Sequence, residues 1–350
     1  MREFLRDLWY LAALSRDVRP GGLLGKSLLG EPVVLGRTAS GEAFALRDLC
    51  PHRGVPLSAG RLADTTAGPV LECPFHGWRF RPDGVCTEIP SLTPGAALRP
   101  EQVRCGVYPL HEAHGLIWIY MSADLKRPAP PSSPPPELGR LAVGGRPKAI
   151  ERRLFDLPLD HAVTGLLDPA HGPYVHQQWW WRTPAGQKQK EKRFEPRPMG
   201  FTMVRHAPSS NSRAYALLGG APQTEIVFEL PSTRWEDIEV GARRFVTMSW
   251  LTPLDAARTE FTQLLFWDIP LLDALAPLIR LAAARFLAQD QAMAALQRRG
   301  LAHDPAMLWI EDADVQALWY RRLKKAWALA RESGQPFANP LQPATLRWRT

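Results

Sequence analysis

Two short loops of the sequence concentrate side chains that bind soft metals. The segment "LCPHRG" contains Cys50 and His52. The segment "CPFHGWRF" contains Cys73 and His76. The whole chain has only 4 cysteines and 9 histidines, so two of each in these loops form an unusual concentration. Because thiolates and imidazoles together bind zinc or iron–sulfur clusters, the spacing predicts a metal site built from both loops.

The distribution of ligands between the loops separates these two chemistries. Structural zinc sites usually pair cysteines in one segment and histidines in another, whereas each loop here supplies one of each. A Rieske [2Fe-2S] cluster takes two thiolates on one iron and two imidazoles on the other, so each loop can contact both irons. Pro51, Gly54, Pro74 and Gly77 predict tight turns that aim backbone N–H groups at cluster sulfurs. We interpret the loops as Rieske ligands, with zinc as the alternative.

The same loops resemble a known family. "CPHRG" together with "CPFHGWRF" is similar to the Rieske domain of bacterial ring-hydroxylating and demethylating oxygenases. Respiratory Rieske proteins have an additional cysteine in each loop, and Val55 and Phe75 stand at those places here. The resemblance therefore implies the oxygenase or ferredoxin type, and we expect Cys86 and Cys105 to be buried, inert thiols.

A second group of potential ligands lies in "LDHAVTGLLDPAHGPYVH". Asp168, His171 and His176 are spaced Asp-x-x-His-x-x-x-x-His, which resembles the mononuclear iron motif of the same oxygenases. We expect Asp168 and His171 to share a helix face as i and i+3 residues. On a regular helix His171 and His176 would be about 140° apart, so the helix must break between them, and Gly172-Pro173 supplies the break.

Non-haem iron(II) oxygenases bind their metal through two histidines and one carboxylate, so a third ligand is required. We predict Asp290 in "RFLAQDQAMAALQ", because a carboxylate on the apolar stripe of a helix is costly unless it binds something. Family members similarly place an aspartate in a late helix. The alternative is the acidic group Glu311, Asp312 and Asp314, which fits better at a helix N-terminus.

The resemblance extends over nearly the whole chain and implies the α subunit of a Rieske non-haem iron oxygenase. In that family the cluster passes electrons to a mononuclear Fe(II), where O2 is the co-substrate. The resemblance implies that Asp168 is the electron bridge between a cluster ligand and His171, across the subunit interface of a homotrimer. No Gly-x-Gly-x-x-Gly motif follows a strand, so we expect NAD(P)H to act only through a separate ferredoxin or ferredoxin reductase.

The segment "LLDPAHGPYVHQQWWWR" looks most like the single-component subgroup that includes pheophorbide and chlorophyllide oxygenases and bacterial O-demethylases. This favours monooxygenation, by hydroxylation, demethylation or desaturation, of a bulky, apolar, ring-containing small molecule. The alternative is an electron-transfer or redox-sensor protein without oxygenase turnover.

Five residues are candidates for the substrate pocket. Thr164 stands where the family commonly has asparagine, and the other four are tryptophans close to the second metal motif or on predicted strands: Trp179, Trp180, Trp250 and Trp267.

Short strand patterns fill the first 120 residues and are separated by Gly, Pro and Asp turn signals. We therefore predict an all-β Rieske domain over residues 1–125. The proline-rich segment 126–137 predicts an extended linker, because proline cannot donate to a β-ladder. Residues 138–350 are predicted to form an α+β catalytic domain, an antiparallel sheet flanked by helices and similar to a helix-grip fold.

Within this second domain we expect helices over residues 160–177, 271–299 and 305–333. The dense cationic run "GQKQKEKRF", residues 186–194, is expected to be an exposed loop.

The composition of the 350-residue chain is that of a globular protein, with a formal net charge of +8. A basic surface suits docking of an acidic electron donor, whereas clustered Lys/Arg with interleaved aromatics, the pattern of nucleic-acid binding, is absent from the sequence. We expect no membrane span and no signal peptide, because charges interrupt the apolar segments. Four cysteines are too few for a disulfide scaffold, so we expect a cytoplasmic protein.

Overall fold

The computed structural model describes residues 4–124, 130–176, 189–208 and 221–350. The chain divides into two compact units. The N-terminal unit is Arg6–Glu137, and the C-terminal unit contains Leu138–Thr350. No helix in the described ranges is long and apolar enough to cross a membrane.

The N-terminal unit is built from antiparallel strands in three small sheets, ordered β2-β3-β4, β5-β6-β7-β8 and β1-β10-β9. Its strands are β1 (Leu8–Leu14), β2 (Leu23–Leu28), β3 (Glu31–Arg37), β4 (Ala43–Arg47), β5 (Arg61–Thr65), β6 (Gly68–Glu72), β7 (Arg79–Phe80), β8 (Cys86–Glu88), β9 (Leu110–Ala113) and β10 (Leu116–Met121). The first Cys/His loop follows β4 and the second connects β6 to β7. Both loops therefore start from a strand end, and a shared apolar core that includes Leu57, Leu71 and Phe80 lies beneath them.

The C-terminal unit contains an eight-stranded antiparallel sheet, ordered β11-β17-β16-β15-β14-β13-β12-β18. Its elements are β11 (Ala149–Phe155), α1 (Leu159–Leu167), α2 (Gly172–Val175), β12 (Gln189–Arg197), β13 (Gly200–His206), β14 (Gln223–Glu229), β15 (Thr233–Val240), β16 (Arg243–Pro253), β17 (Thr259–Trp267), α3 (Pro270–Ala274), α4 (Ala276–Leu301), α5 (Val315–Ser333) and β18 (Ala344–Arg349). The predicted fold class, an all-β domain followed by an α+β domain, is confirmed.

The long helices pack against this sheet through apolar side chains. On α5, Trp319 meets the ring of Phe201 edge-on at 5.2 Å between centroids, and Tyr320 meets Phe228 at 5.7 Å. On α4, Ile279 and Ala283 pack against a buried cluster that contains residues of β11 and β17. Such burial of apolar area is what holds a helix in a fixed place on a sheet.

The predicted helix over residues 160–177 is wrong. Helix α1 ends at Leu167, and Asp168 is extended, with φ −69° and ψ 117°. The reason is Pro169, because the residue before a proline is displaced from the α region. Pro173 lies in the first turn of α2, where proline is favourable. Asp168 and His171 therefore do not share a helix face.

Two further expectations about local structure also fail. The predicted helix over residues 305–333 begins only at Val315, because Asp304 and Asp312 adopt positive φ values of 47° and 63°, which no helix accommodates. Residues 189–194 of the cationic run expected as a loop belong to β12, which pairs with β13 and β18. Its alternate side chains therefore face opposite sides of the sheet.

Candidate metal centres

The two Cys/His loops share one backbone design. Each closes through two backbone hydrogen bonds: Cys50 N–H to the Val55 carbonyl at 2.8 Å, Gly54 N–H to the Cys50 carbonyl at 2.8 Å, Cys73 N–H to the Trp78 carbonyl at 2.8 Å, and Gly77 N–H to the Cys73 carbonyl at 3.1 Å. Gly54 and Gly77 have φ of 70° and 68°, a conformation that favours glycine. The prolines and glycines of the sequence thus form two equivalent turns.

These turns bring all four predicted ligands to one place. Cys50 and Cys73 are buried, and their thiols lie beside each other. The imidazole rings of His52 and His76 are 4.5 Å apart between centroids, and His52 stacks on Trp78 at 4.7 Å. Nδ1 of His52 is buried and has no hydrogen-bond partner among the described residues. A buried ring nitrogen without a partner is costly, and a metal ion would satisfy it.

The electrostatics of this pocket also suit a metal. Burial raises the pKa of the Cys50 thiol to about 11. Burial and the neighbouring His76 lower the pKa of His52. Without metal the pocket therefore holds a neutral thiol and a neutral imidazole, and iron would convert the thiols to thiolates. Burial likewise raises the pKa of the Cys105 thiol, to about 12, and this thiol lies 3.1 Å from the Arg47 carbonyl.

A second convergence of ligands lies in the C-terminal unit. His171, His176 and Asp290 each offer one ligand atom, and these atoms lie within 4.8 Å of one another. Nε2 of His171 is 3.7 Å from Asp290 Oδ1, and Nε2 of His176 is 3.4 Å from the same oxygen. The helix break at Pro169 and the start of α2 therefore bring both histidines towards the carboxylate of α4.

The partners of the Nδ1 atoms orient both histidines. Nδ1 of His171 lies 2.9 Å from the backbone carbonyl of Asp168. Nδ1 of His176 lies 3.3 Å from Oε1 of Gln289. Because these acceptors require a proton on Nδ1, both Nε2 lone pairs are left for a metal. Nε2 of His176 is buried without a hydrogen bond to any described residue.

Helix α4 supplies most of the support for this site. Phe286, Gln289 and Asp290 are spaced i, i+3 and i+4, so they share one helix face. The Phe286 ring stacks on His176 with 3.4 Å between centroids. The sequence interpretation missed the role of Gln289, although its position next to a predicted ligand was an available signal.

Burial sets the protonation of the metal-free site. It raises the pKa of Asp290 to about 7. It also lowers the pKa of His176 to about 4, and the nearby His171 adds to that shift. A divalent cation between the three side chains would favour the ionised carboxylate and the neutral imidazoles, so the donor set fits a mononuclear iron site.

The remaining candidate acids have other contacts. The Asp168 carboxylate accepts the Ala170 N–H at 2.7 Å, and its other oxygen is 3.8 Å from Nδ1 of His171. The Asp312 carboxylate accepts the backbone N–H of Arg347 at 3.1 Å. The Asp314 carboxylate accepts the N–H of Ile310 at 2.7 Å.

A cavity of about 1230 Å³ adjoins the second site, and Thr164 lines it together with the three potential ligands. Trp250 and Trp267 do not, so their assignment to the pocket wall is wrong. Trp250 alternates with the cavity-lining residues Thr247 and Ser249 on β16 and therefore faces the other side of the sheet.

Trp267 belongs to the core instead. It is buried, stacks on Phe245 at 5.8 Å between centroids, and donates its Nε1–H to Asp273 at 3.0 Å. Trp179 and Trp180 lie outside the described residues.

Comparison with known proteins agrees with these features. Residues 8–108 match the family model described as the Rieske [2Fe-2S] domain. Chlorophyllide a oxygenase of Chlamydomonas reinhardtii is 35% identical over 178 residues, which cover 50% of this chain and 25% of that protein. The oxygenase subunit of 3-chlorobenzoate-3,4-dioxygenase of Comamonas testosteroni is 34% identical over 183 residues, covering 50% and 39%.

The likeness in structure covers more of the chain. Dicamba monooxygenase bound to dicamba has a TM-score of 0.71 and 24% identity, and the match covers 94% of this chain and 99% of that one. The chain spans about a quarter to two fifths of the length of the curated relatives it matches. The match of residues 8–108 to the Rieske [2Fe-2S] domain and these likenesses confirm the resemblance to Rieske oxygenases, with the cluster as a cofactor.

Proposed function

We propose that this protein is a Rieske-type oxygenase that uses O2 and external electrons to oxidise a bulky, largely apolar, ring-containing small molecule. One observation carries the proposal: the Nε2 atoms of His171 and His176 and the Asp290 carboxylate converge beside a large cavity in a chain that also has a Rieske domain. Relatives named as a sulfonate monooxygenase, a dioxygenase and a cholesterol desaturase support the reaction class.

The residues of the second site would hold a mononuclear Fe(II), which supplies O2 binding and activation when bound. A structure of dicamba monooxygenase contains non-heme iron and dicamba, which supports this metal. Asp168 and Gln289 fix the histidine rings, and Asp290 provides the charged ligand. The apolar lining, including Phe155, excludes water from a bound ring system.

Electrons would reach this site from the cluster of a neighbouring subunit in a homotrimer, with Asp168 as the bridge. The Asp168 side chain is 33% exposed and only one of its oxygens accepts the Ala170 N–H, so the carboxylate is accessible to another chain. His76 is exposed, which suits electron entry from a ferredoxin or reductase, with NAD(P)H acting through that partner. We propose the cytoplasm as its location.

Consumption of isotopically labelled dioxygen by the reduced, iron-loaded protein tests this function. Candidate substrates are those that the names of the relatives suggest, including chlorophyllide a, chlorobenzoate and toluenesulfonate. An oxygenase incorporates labelled oxygen into a product, or consumes O2 in proportion to a desaturated product. A protein that reoxidises its cluster without any product in the presence of these compounds is an electron carrier or sensor instead.

A further inference from the structure

Two lysines line the cavity, and neither pairs with an acidic side chain of the described residues. Lys190 and Lys192 lie two residues apart on β12, so both face the same side of the sheet, and both line the cavity. Nζ of Lys192 donates to the Ala207 carbonyl at 3.2 Å. Neither lysine forms an ion pair with a described acid, and the sequence of segments 177–188 and 209–220 contains no Asp or Glu.

Two further hydrogen-bond donors accompany the lysines. Trp348 pairs with Lys190 between β12 and β18, and its buried Nε1–H has no partner among the described residues. Thr224 pairs with His206 between β13 and β14, and its buried hydroxyl also lacks a partner in the described part of the chain. All four side chains line the cavity. We call Lys190, Lys192, Trp348 and Thr224 the donor patch.

The acids that line the cavity are engaged elsewhere. Among the acidic side chains of the lining, Glu236 lies 3.9 Å from Arg234, Asp314 accepts the Ile310 N–H, and Asp168 and Asp290 belong to the metal site. Thr350, the last residue of the sequence, also lines the cavity. Burial lowers the pKa of both lysines, and Lys192 lowers that of Lys190 further. Desolvated cations and donors without acceptors are unfavourable, so the donor patch is poised for an anion.

We propose that the substrate bears a carboxylate or sulfonate group that binds to Lys190 and Lys192 of the donor patch, while its ring system occupies the apolar part of the same cavity. Charge-assisted hydrogen bonds from two ammonium groups would hold the anionic group. The identification of this ligand as a substrate rests on the proposed oxygenase function. The binding site itself does not, because it requires neither O2 nor electrons.

Calorimetric titration of the oxidised, iron-loaded protein with matched probes tests the donor patch. Naphthoate and naphthalenesulfonate carry the anion, and naphthamide has the shape of naphthoate without its charge. We expect both anions to bind at least ~10-fold more tightly than the amide. The K190M/K192M variant should lose this preference, whereas K190R/K192R should retain most of it. K325M, which removes an exposed lysine of α5 outside the cavity lining, should bind as the unaltered protein does.

Equal affinities for the anions and the amide would overturn the inference, and so would the absence of measurable naphthoate binding. A loss of preference in K325M as large as that in K190M/K192M would also overturn it, because net charge would then explain the effect. A protein that prefers the anions but never consumes O2 to make a product would keep the anion site and refute the oxygenase function. The two failures are therefore distinguishable.

Discussion

The two candidate metal centres are assembled in different ways. The Cys/His loops are each closed by their own backbone hydrogen bonds and a glycine with positive φ. The His/Asp site instead joins two short helical segments to a distant helix, with Gln289 lying 113 residues after its partner His176. The first site is thus fixed by local chain geometry, and the second by the packing of α4.

This difference has a consequence for how each site tolerates change. We expect the loop geometry of the N-terminal unit to survive substitutions elsewhere, since its hydrogen bonds close within six residues of chain. The geometry of the second site depends on side chains of α4, because Asp290 is a potential metal ligand and Gln289 orients His176. Substitutions on α4 should therefore abolish binding of the mononuclear iron and leave the cluster in place. Substitutions in the loops should remove the cluster and leave the mononuclear iron.

The largest effect is expected from Cys73→Ala. A Rieske cluster loses one of its two thiolates, so cluster absorption and its EPR signal should vanish, and iron should fall from about three to about one per chain. Cys86→Ala is the matched control, because Cys86 is also buried but lies outside the loops. If Cys73→Ala keeps its cluster spectrum, the assignment of this loop is wrong.

Asp290→Asn should affect only the second site. Loss of the charged ligand should weaken Fe(II) binding by at least ~100-fold, with the cluster spectrum unchanged and iron near two per chain. Asp312→Asn is the control. If Asp290→Asn retains about three irons per chain and Asp312→Asn loses the mononuclear iron, the third ligand belongs to the acidic group before α5 instead.

Asp168→Asn separates metal binding from electron transfer. His171 contacts the backbone carbonyl of residue 168, and an asparagine oxygen can still accept the Ala170 N–H. Both metals should therefore remain, while product formation slows at least ~10-fold because the charged bridge is lost. Loss of iron in this variant would mean that Asp168 supports the metal site instead.

Transfer between subunits can be examined with mixed oligomers. Chains with His76→Ala lack a cluster, and chains with His171→Ala lack the mononuclear iron. Co-assembly should restore part of the activity, since an intact cluster can then face an intact iron across an interface. No rescue in mixed assemblies verified by mass would rule out transfer between chains.

A smaller effect is expected from Gln289→Ala. It removes the acceptor for Nδ1 of His176, and partners of this kind typically change metal affinity by ~10–100-fold. Gln289→Glu keeps an acceptor and should restore binding. Gln291→Ala is the control, because Gln291 donates to the Leu154 carbonyl at 2.7 Å instead. Equal losses in the two alanine variants would indicate a general disturbance of α4.

A graded effect concerns pH. Burial raises the pKa of Asp290 to about 7 in the metal-free protein, above its ordinary value near ~3.9. A metal ion must displace that proton below about pH 7. The affinity of the second site for a divalent metal should therefore fall up to ~10-fold for each unit by which the pH is lowered between about pH 7 and 5. The same shift makes the metal-free protein lose stability from this group as pH rises from about 4 to 7. Asp290→Asn should abolish the contribution of this carboxyl group to both dependences, the first measured by cobalt titration and the second by denaturation of the metal-free protein.

The loop site could be predicted from the sequence because its signals are short-range. Mixed Cys/His ligands, prolines and glycines lie within each segment, and the turns need no information from distant residues. The position of α4 against His176 depends on tertiary packing, so the orienting contacts of Gln289 and Phe286 were not predictable from spacing alone.

Other errors have equally specific causes. The helix through His171 was predicted without the effect of Pro169 on Asp168. Trp250 was assigned to the pocket because the strand was predicted but not which of its alternate faces meets the cavity. The cationic run around Lys190 reads as a loop in the sequence because its charges hide the period of two that a strand shows.

Mössbauer spectroscopy of protein grown with isotopically enriched iron tests the central claim most directly, because it counts both kinds of site in one sample. The account predicts about three irons per chain, two in a Rieske cluster and one mononuclear high-spin Fe(II). Only the mononuclear signal should disappear in His176→Ala. A spectrum with the cluster alone, or a His176→Ala variant with an unchanged spectrum, would contradict the account.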